Sequence, residues 1–147
     1  MSKNEARRAS RIVAVEALFA YLERNGVVSI EECLNHVINS VEGKLEDGFA
    51  EKLAKETSKN IGKLKIVVKA FAPDFPFTKI APINRAILLL GLAEMKYINT
   101  PPVVVINEYI ELAKIFGEQK SAGFINAVLD SFRQSSSFDK IDNSEEN

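Results

Sequence analysis

Tryptophan is absent from this chain, cysteine and histidine occur once each, and neither sign of charge is in excess. In 147 residues, 19 Lys and Arg stand against 20 Asp and Glu. A single Cys33 forms no intramolecular disulfide and no multi-cysteine metal site. His36 has no Cys, Asp or Glu at metal or triad spacing, so an ordinary helix-surface histidine is expected. A formal net charge of −1 argues against a protein that coats nucleic acid by bulk basicity, but it leaves room for a local basic site. Long hydrophobic runs are missing too: the longest, residues 86–93, falls far short of the roughly 20 residues that span a bilayer. No basic-then-apolar leader precedes Ser2, Lys3 and Asn4, so the chain is expected in a reducing, cytoplasmic compartment and away from membranes. No Gly-rich phosphate loop, Gly-x-Ser-x-Gly or His/Cys cluster occurs. No catalytic residue, metal or cofactor is therefore expected, and the chain is not read as an enzyme.

What is present is apolar material in helical register. Hydrophobic residues make up 46% of the chain, enough for the core of one domain without staples. Ile12, Val15, Leu18, Phe19 and Leu22 recur at three and four, predicting a helix from Glu5 to about Arg24 that ends at Gly26. Ser29-Ile30-Glu31-Glu32 reads as a capping box opening a second helix, with Ile30, Cys33, Leu34, Val37, Ile38 and Val41 on one stripe. One long helix is expected from Phe49 to Phe71, followed by a loop at Pro73 and Pro76 in which Phe75 and Phe77 anchor to the core. Pro82 suits the first position of a helix that is apolar nearly all round and so belongs in the middle of the domain. Residues 103–106 have strand propensity, yet the spacing of Ile106, Ile110 and Ala113 favours a helix ending at Gly117. A last helix is expected from Ser121 to Arg133. No segment alternates with period two, so the fold class is all-α: a compact bundle of six to seven helices in residues 1–133. Residues 134–147 are polar and aperiodic and read as a disordered acidic tail.

The neutral total conceals an uneven distribution. Residues 1–11 carry Lys3, Arg7, Arg8 and Arg11 against Glu5, whereas residues 134–147 carry Lys140 against four acids, so the two ends stand at +3 and −3. Arg7, Arg8 and Arg11 fall within roughly 100° of arc at about 3.6 residues per turn. Cations at a helix start oppose its macrodipole, which leaves two readings open, a solvated end and a phosphate-contacting patch. Lys52, Lys55, Lys59 and Lys63 either extend that patch or are simply solvated. Glu108 and Glu111 lack the Glu-x-x-His partners of a bundle metal site. They are expected near a helix N-terminus, with Glu111 beside Lys114.

Several blocks together carry a family resemblance. They are Arg7-Arg8-Ala9-Ser10-Arg11 with Ala17-Leu18-Phe19, Arg85-Ala86-Ile87-Leu88-Leu89-Leu90-Gly91 with Glu94, Ile106-Asn107-Glu108-Tyr109-Ile110-Glu111-Leu112-Ala113-Lys114, Phe116-Gly117, and residues 121–130. In this order they resemble NusB, the bacterial transcription antitermination family, over about residues 5–133. The resemblance implies two helical subdomains and no catalysed reaction. It implies binding of boxA-type single-stranded RNA jointly with NusE, a small-subunit ribosomal protein, in a complex with NusA, NusG and RNA polymerase. Read-through of ribosomal RNA operons and help with ribosomal RNA maturation would follow.

Residue by residue, the resemblance implies RNA contacts from Arg7, Arg8, Arg11, Phe19, Lys120, Ser121, Phe124 and Asn126, and NusE contacts from Asn84 and Arg85. Asn84 departs from the acid common in the family, and Ala127 from its usual Gly. Two alternatives stay open: a helical RNA-binding domain that aids ribosomal RNA maturation or modification, and a protein-only helical adaptor.

Overall fold

The computed structural model describes residues 2–117 and 119–135. The tail expected from residue 134 onward lies, from residue 136, outside the described residues. Among the described residues seven α-helices follow one another: α1 Lys3–Glu23, α2 Ile30–Asn39, α3 Phe49–Lys59, α4 Ile61–Phe71, α5 Pro82–Ala93, α6 Pro102–Phe116 and α7 Gln119–Gln134. No strand occurs among the described residues, and none of their helices is long and apolar enough to cross a membrane. Residues 103–106 are helical because Pro102 starts α6 at its first position, where a missing N–H costs nothing.

The ends of the first two helices are set by local chemistry. Ser2 and Ser29 cap α1 and α2, their hydroxyls accepting from the N–H groups of Glu5 and Glu32. The single long helix expected over Phe49–Phe71 is instead two. At Asn60 the backbone leaves the helical region (φ −117°, ψ 20°), and the side-chain amide donates to the Glu56 carbonyl at 2.8 Å. That bond satisfies the end of α3 and competes with helix continuation. The break separates two packing environments: α3 lies on α1, α2 and α5, whereas α4 lies on α5 and α7.

Helices α1–α3 form one subdomain and α4–α7 the other, with α5 touching both. Every residue from Ala86 to Ala93 is buried, as the all-round apolar pattern requires. Gly91 makes the close packing of α5 possible: a Cβ there would sit 3.1 Å and 3.2 Å from the Leu129 methyls and 3.4 Å from the Tyr109 ring. Beyond Ala93 the helix widens into a π-type turn, Glu94–Ile98, and Asn99 closes it in the left-handed conformation (φ 64°). Between α4 and α5 a short 3₁₀ turn spans Phe77–Lys79. Phe77 packs against the core as expected, but Phe75 does not: it stands 55% exposed. Cys33 is buried, and burial pushes its thiol pKa up. His36 is exposed on α2.

Candidate nucleic-acid interface

The arginine-rich start of α1 meets carboxylates from three other segments. Nε and Nη2 of Arg7 donate to Glu46, at 2.7 Å for the shortest contact, and the guanidinium lies 4.7 Å above the Phe49 ring. Glu46 is held in turn by its own N–H, which donates to Ser10 Oγ at 2.9 Å. Arg8 donates to Glu108 at 2.6 Å, a bond that raises its pKa further. Arg11 donates through Nε and Nη2 to both oxygens of Glu94 at 2.8 Å and 2.7 Å, and through Nη1 to Glu108 at 3.1 Å. Burial acts to lower the Arg11 pKa, but the hydrogen bonds and charge of Glu94 outweigh it. Tyr109 Oη donates to Glu94 at 2.8 Å, and its pKa is raised, first by complete burial and then by the Glu94 charge.

Two expectations change here. Arg11 is only 2% exposed, so it is a buried structural cation and not a surface phosphate contact. Burial of the charge is the cost, and two carboxylates brought by α6 and the turn after α5 compensate. Glu108 belongs to the second turn of α6 and not to its N-terminus; it serves as the shared acceptor for Arg8 and Arg11. Glu111 pairs with Lys114 at 3.3 Å, as expected. Lys52, Lys55 and Lys59 are exposed on α3, with Lys59 3.9 Å from Glu56, and the break at Asn60 puts Lys63 on a different helix.

The residues of the later blocks gather elsewhere. Asn84, Lys120, Ser121 and Phe124 line one cleft of about 550 Å³, together with Phe75, Lys79, Ile80 and Ala81. Lys120 and Phe124 stand four apart on α7 and so share a face. The Asn84 amide donates to Ser121 Oγ at 3.1 Å, and Phe75 meets Phe124 edge to face at 5.5 Å. The residue assigned to the protein partner thus adjoins residues assigned to RNA. Arg85 turns the other way, donating at 2.7 Å to the carbonyls of both Ile80 and Thr78 beside the Phe77 ring. That makes it a staple for the loop before α5.

Two expected site residues stay apart from this cleft. Asn126 is exposed but two positions beyond Phe124, about 200° round the helix, and it does not line the cleft. Phe19 is half-buried against the core, twelve residues and about 18 Å along α1 from Arg7. Arg7 lines a separate cleft of about 420 Å³ with Glu46, Phe49 and Lys52. Ala127 is exposed, so its methyl group disturbs no packing.

Sequence reasoning missed Glu46, Glu94 and Phe75. Glu94 carried a signal, since a carboxylate adjoining the apolar run of residues 86–93 demands a buried cation. Glu46 and Phe75 carried none.

Seven helices in this order and packing among the described residues define the chain as an all-α bundle protein. The same fold occurs in NusB from T. maritima, with TM-score 0.74 and 22% identity over 85% of this chain and 88% of that one. It also occurs in the structure of antitermination factors NusB and NusE in complex with double-stranded RNA, with TM-score 0.77 and 22% identity over 86% and 95% of the two chains. The chain belongs to the NusB family, whose profile matches residues 8–134. It is 37% identical to the transcription antitermination protein NusB of Campylobacter concisus over 123 residues, 75% of this chain and 92% of that protein. The Bacillus licheniformis protein of the same name is 35% identical over 130 residues, 86% of this chain and 95% of that one.

Proposed function

We propose that this chain is a cytoplasmic transcription antitermination factor, not an enzyme, that binds boxA-type single-stranded RNA jointly with NusE. The resulting complex engages elongating RNA polymerase with NusA and NusG and promotes read-through of ribosomal RNA operons. The carrying observation is the cleft shared by Asn84, Lys120, Ser121 and Phe124 in a chain of the NusB family. A cation and an aromatic ring on one face are what single-stranded RNA binding uses, and the adjoining Asn84 gives a second macromolecule a foothold beside the RNA. Arg7 and Arg8, with side chains 34% and 45% exposed, keep edges free for phosphate. Phe19 and Asn126 would flank the RNA, and Arg11 positions Glu108 from within. Residues 1–133 form the binding unit in this reading.

The test is an RNA-binding titration at fixed salt with boxA-containing RNA, with and without NusE. Weak binding alone and much tighter binding with NusE are expected. Equal affinity in the two titrations would defeat the proposal.

A further inference from the structure

Phe75 is the largest exposed apolar ring in the described part of the molecule, and it lines two clefts at once. On one side is the cleft of Asn84, Lys120 and Phe124. On the other is a cleft of about 440 Å³ formed by Lys65, Ile66 and Lys69 of α4 with Pro73, Phe77 and Thr78. The Phe75 ring thus stands between the two clefts, which flank it as the two halves of a furrow. Its edge-to-face contact with Phe124, at an interplanar angle of 62°, holds the ring upright and leaves it available to solvent.

Stability does not account for this arrangement. An exposed phenyl ring would be better buried, and Ile66 beside it is 71% exposed. Lys65 and Lys69 stand four apart on α4, where like charges repel. Lys65 also lies 5.0 Å from the Phe77 ring centroid. Among the described residues the charged groups lining the two clefts are Lys65, Lys69, Lys79 and Lys120, with no carboxylate. The cleft of Arg7 differs in its lining, since Glu46 and Asp47 line it. Cations alternating with ring faces along a furrow free of acids fit a single-stranded polyanion whose flat bases stack without regard to sequence.

We infer that RNA seated in the Lys120–Phe124 cleft continues over Phe75, which stacks one base, into the α4 cleft, where Lys65 and Lys69 contact its phosphates. This rests on the RNA-binding function proposed above and assigns the track a second half.

The experiment measures binding of boxA-containing single-stranded RNA by the full chain with NusE, across a salt series. Wild type is compared with Phe75→Ala, Phe75→Tyr, the double variant Lys65→Gln/Lys69→Gln, and Lys120→Gln. All the altered residues are exposed, and thermal melts check folding. Phe75→Ala should weaken binding about tenfold or more with the salt slope unchanged, and Phe75→Tyr should restore it. The double lysine variant should shallow the log-log slope by about 1.4, from two lost single-strand phosphate contacts. If Lys120→Gln weakens binding while the Phe75 and Lys65/Lys69 variants leave affinity and slope unchanged, the second half of the track is refuted and the RNA-binding function stands. If those variants weaken NusE binding and leave RNA affinity intact, the furrow is a protein-docking surface and the inference falls. If wild type binds no RNA with NusE present, both readings fall together.

Discussion

Arg11 and Glu94 are 83 positions apart in sequence and touch inside the core, where both side chains are at most 2% exposed. Neither tolerates burial alone. Arg11→Ala should therefore destabilise the fold by about 3–5 kcal/mol, a large share of a typical 5–15 kcal/mol, as measured by urea unfolding. A loss below about 1 kcal/mol would mean that Glu94 finds compensation elsewhere. Tyr109 adds a pH dependence. Its folded-state pKa is raised above the unfolded value of about 10, so its contribution is complete below that pH and is lost as pH rises toward the folded-state value. Melting temperature should fall steeply above about pH 10, and Tyr109→Phe should flatten that fall. Glu46 acts on the surface: it occupies the Arg7 fork that matches phosphate. Glu46→Gln should raise RNA affinity and steepen the salt slope, and in an Arg7→Ala background the gain should vanish. A gain of the same size in both backgrounds would reduce Glu46 to a general negative charge.

At the scale of the element, the apolar pattern predicts six helices where the described residues form seven, and five correspond one to one, because helices bury an apolar stripe or, in α5, their whole surface. It merged α3 with α4. The break depends on one Asn60 side chain bonding a carbonyl four residues back, which no apolar spacing reports. Beyond α5 the helix widens at Glu94, where the carboxylate meets Arg11 and Tyr109, and the all-round apolar pattern before it gives no sign of that change. Gly91 tests the packing of α5 against α7. Gly91→Ala gains about 1 kcal/mol of helix propensity but overpacks by about 1–3 kcal/mol, so a net loss of about 1 kcal/mol is expected in denaturant unfolding. Net stabilisation would show that Leu129, fully buried, still has room to give.

Over the whole molecule, the near-equality of 19 basic and 20 acidic residues is arranged in space and not only along the chain. Carboxylates from positions 46, 94 and 108 converge on the N-terminal arginines, while among the described residues the charged groups lining the furrow around Phe75 are lysines. The basic surface available to RNA is thus a few lysines with partly engaged arginines. RNA binding by the chain without NusE should then show a log-log salt slope no steeper than about −4, at about −0.7 per phosphate contacted. A steeper slope in a titration over several salt concentrations would show that the arginines leave their carboxylates and join the contact.

The sequence by itself determined the all-α class, the buried α5, the capped starts of α1 and α2 and membership of the NusB family. All of these follow from local spacing or from residues read in order. The tertiary structure alone decided which candidate residues are free to act. Arg7, Arg8 and Arg11 look equivalent within one helical turn, yet their partners stand 39, 100 and 83 positions away and leave one arginine buried and two at the surface. Phe75 and Phe77 likewise share a loop, but only Phe77 reaches the core. Burial and charge pairing are sums over neighbours that come from elsewhere in the chain, and those neighbours are set only when the helices pack.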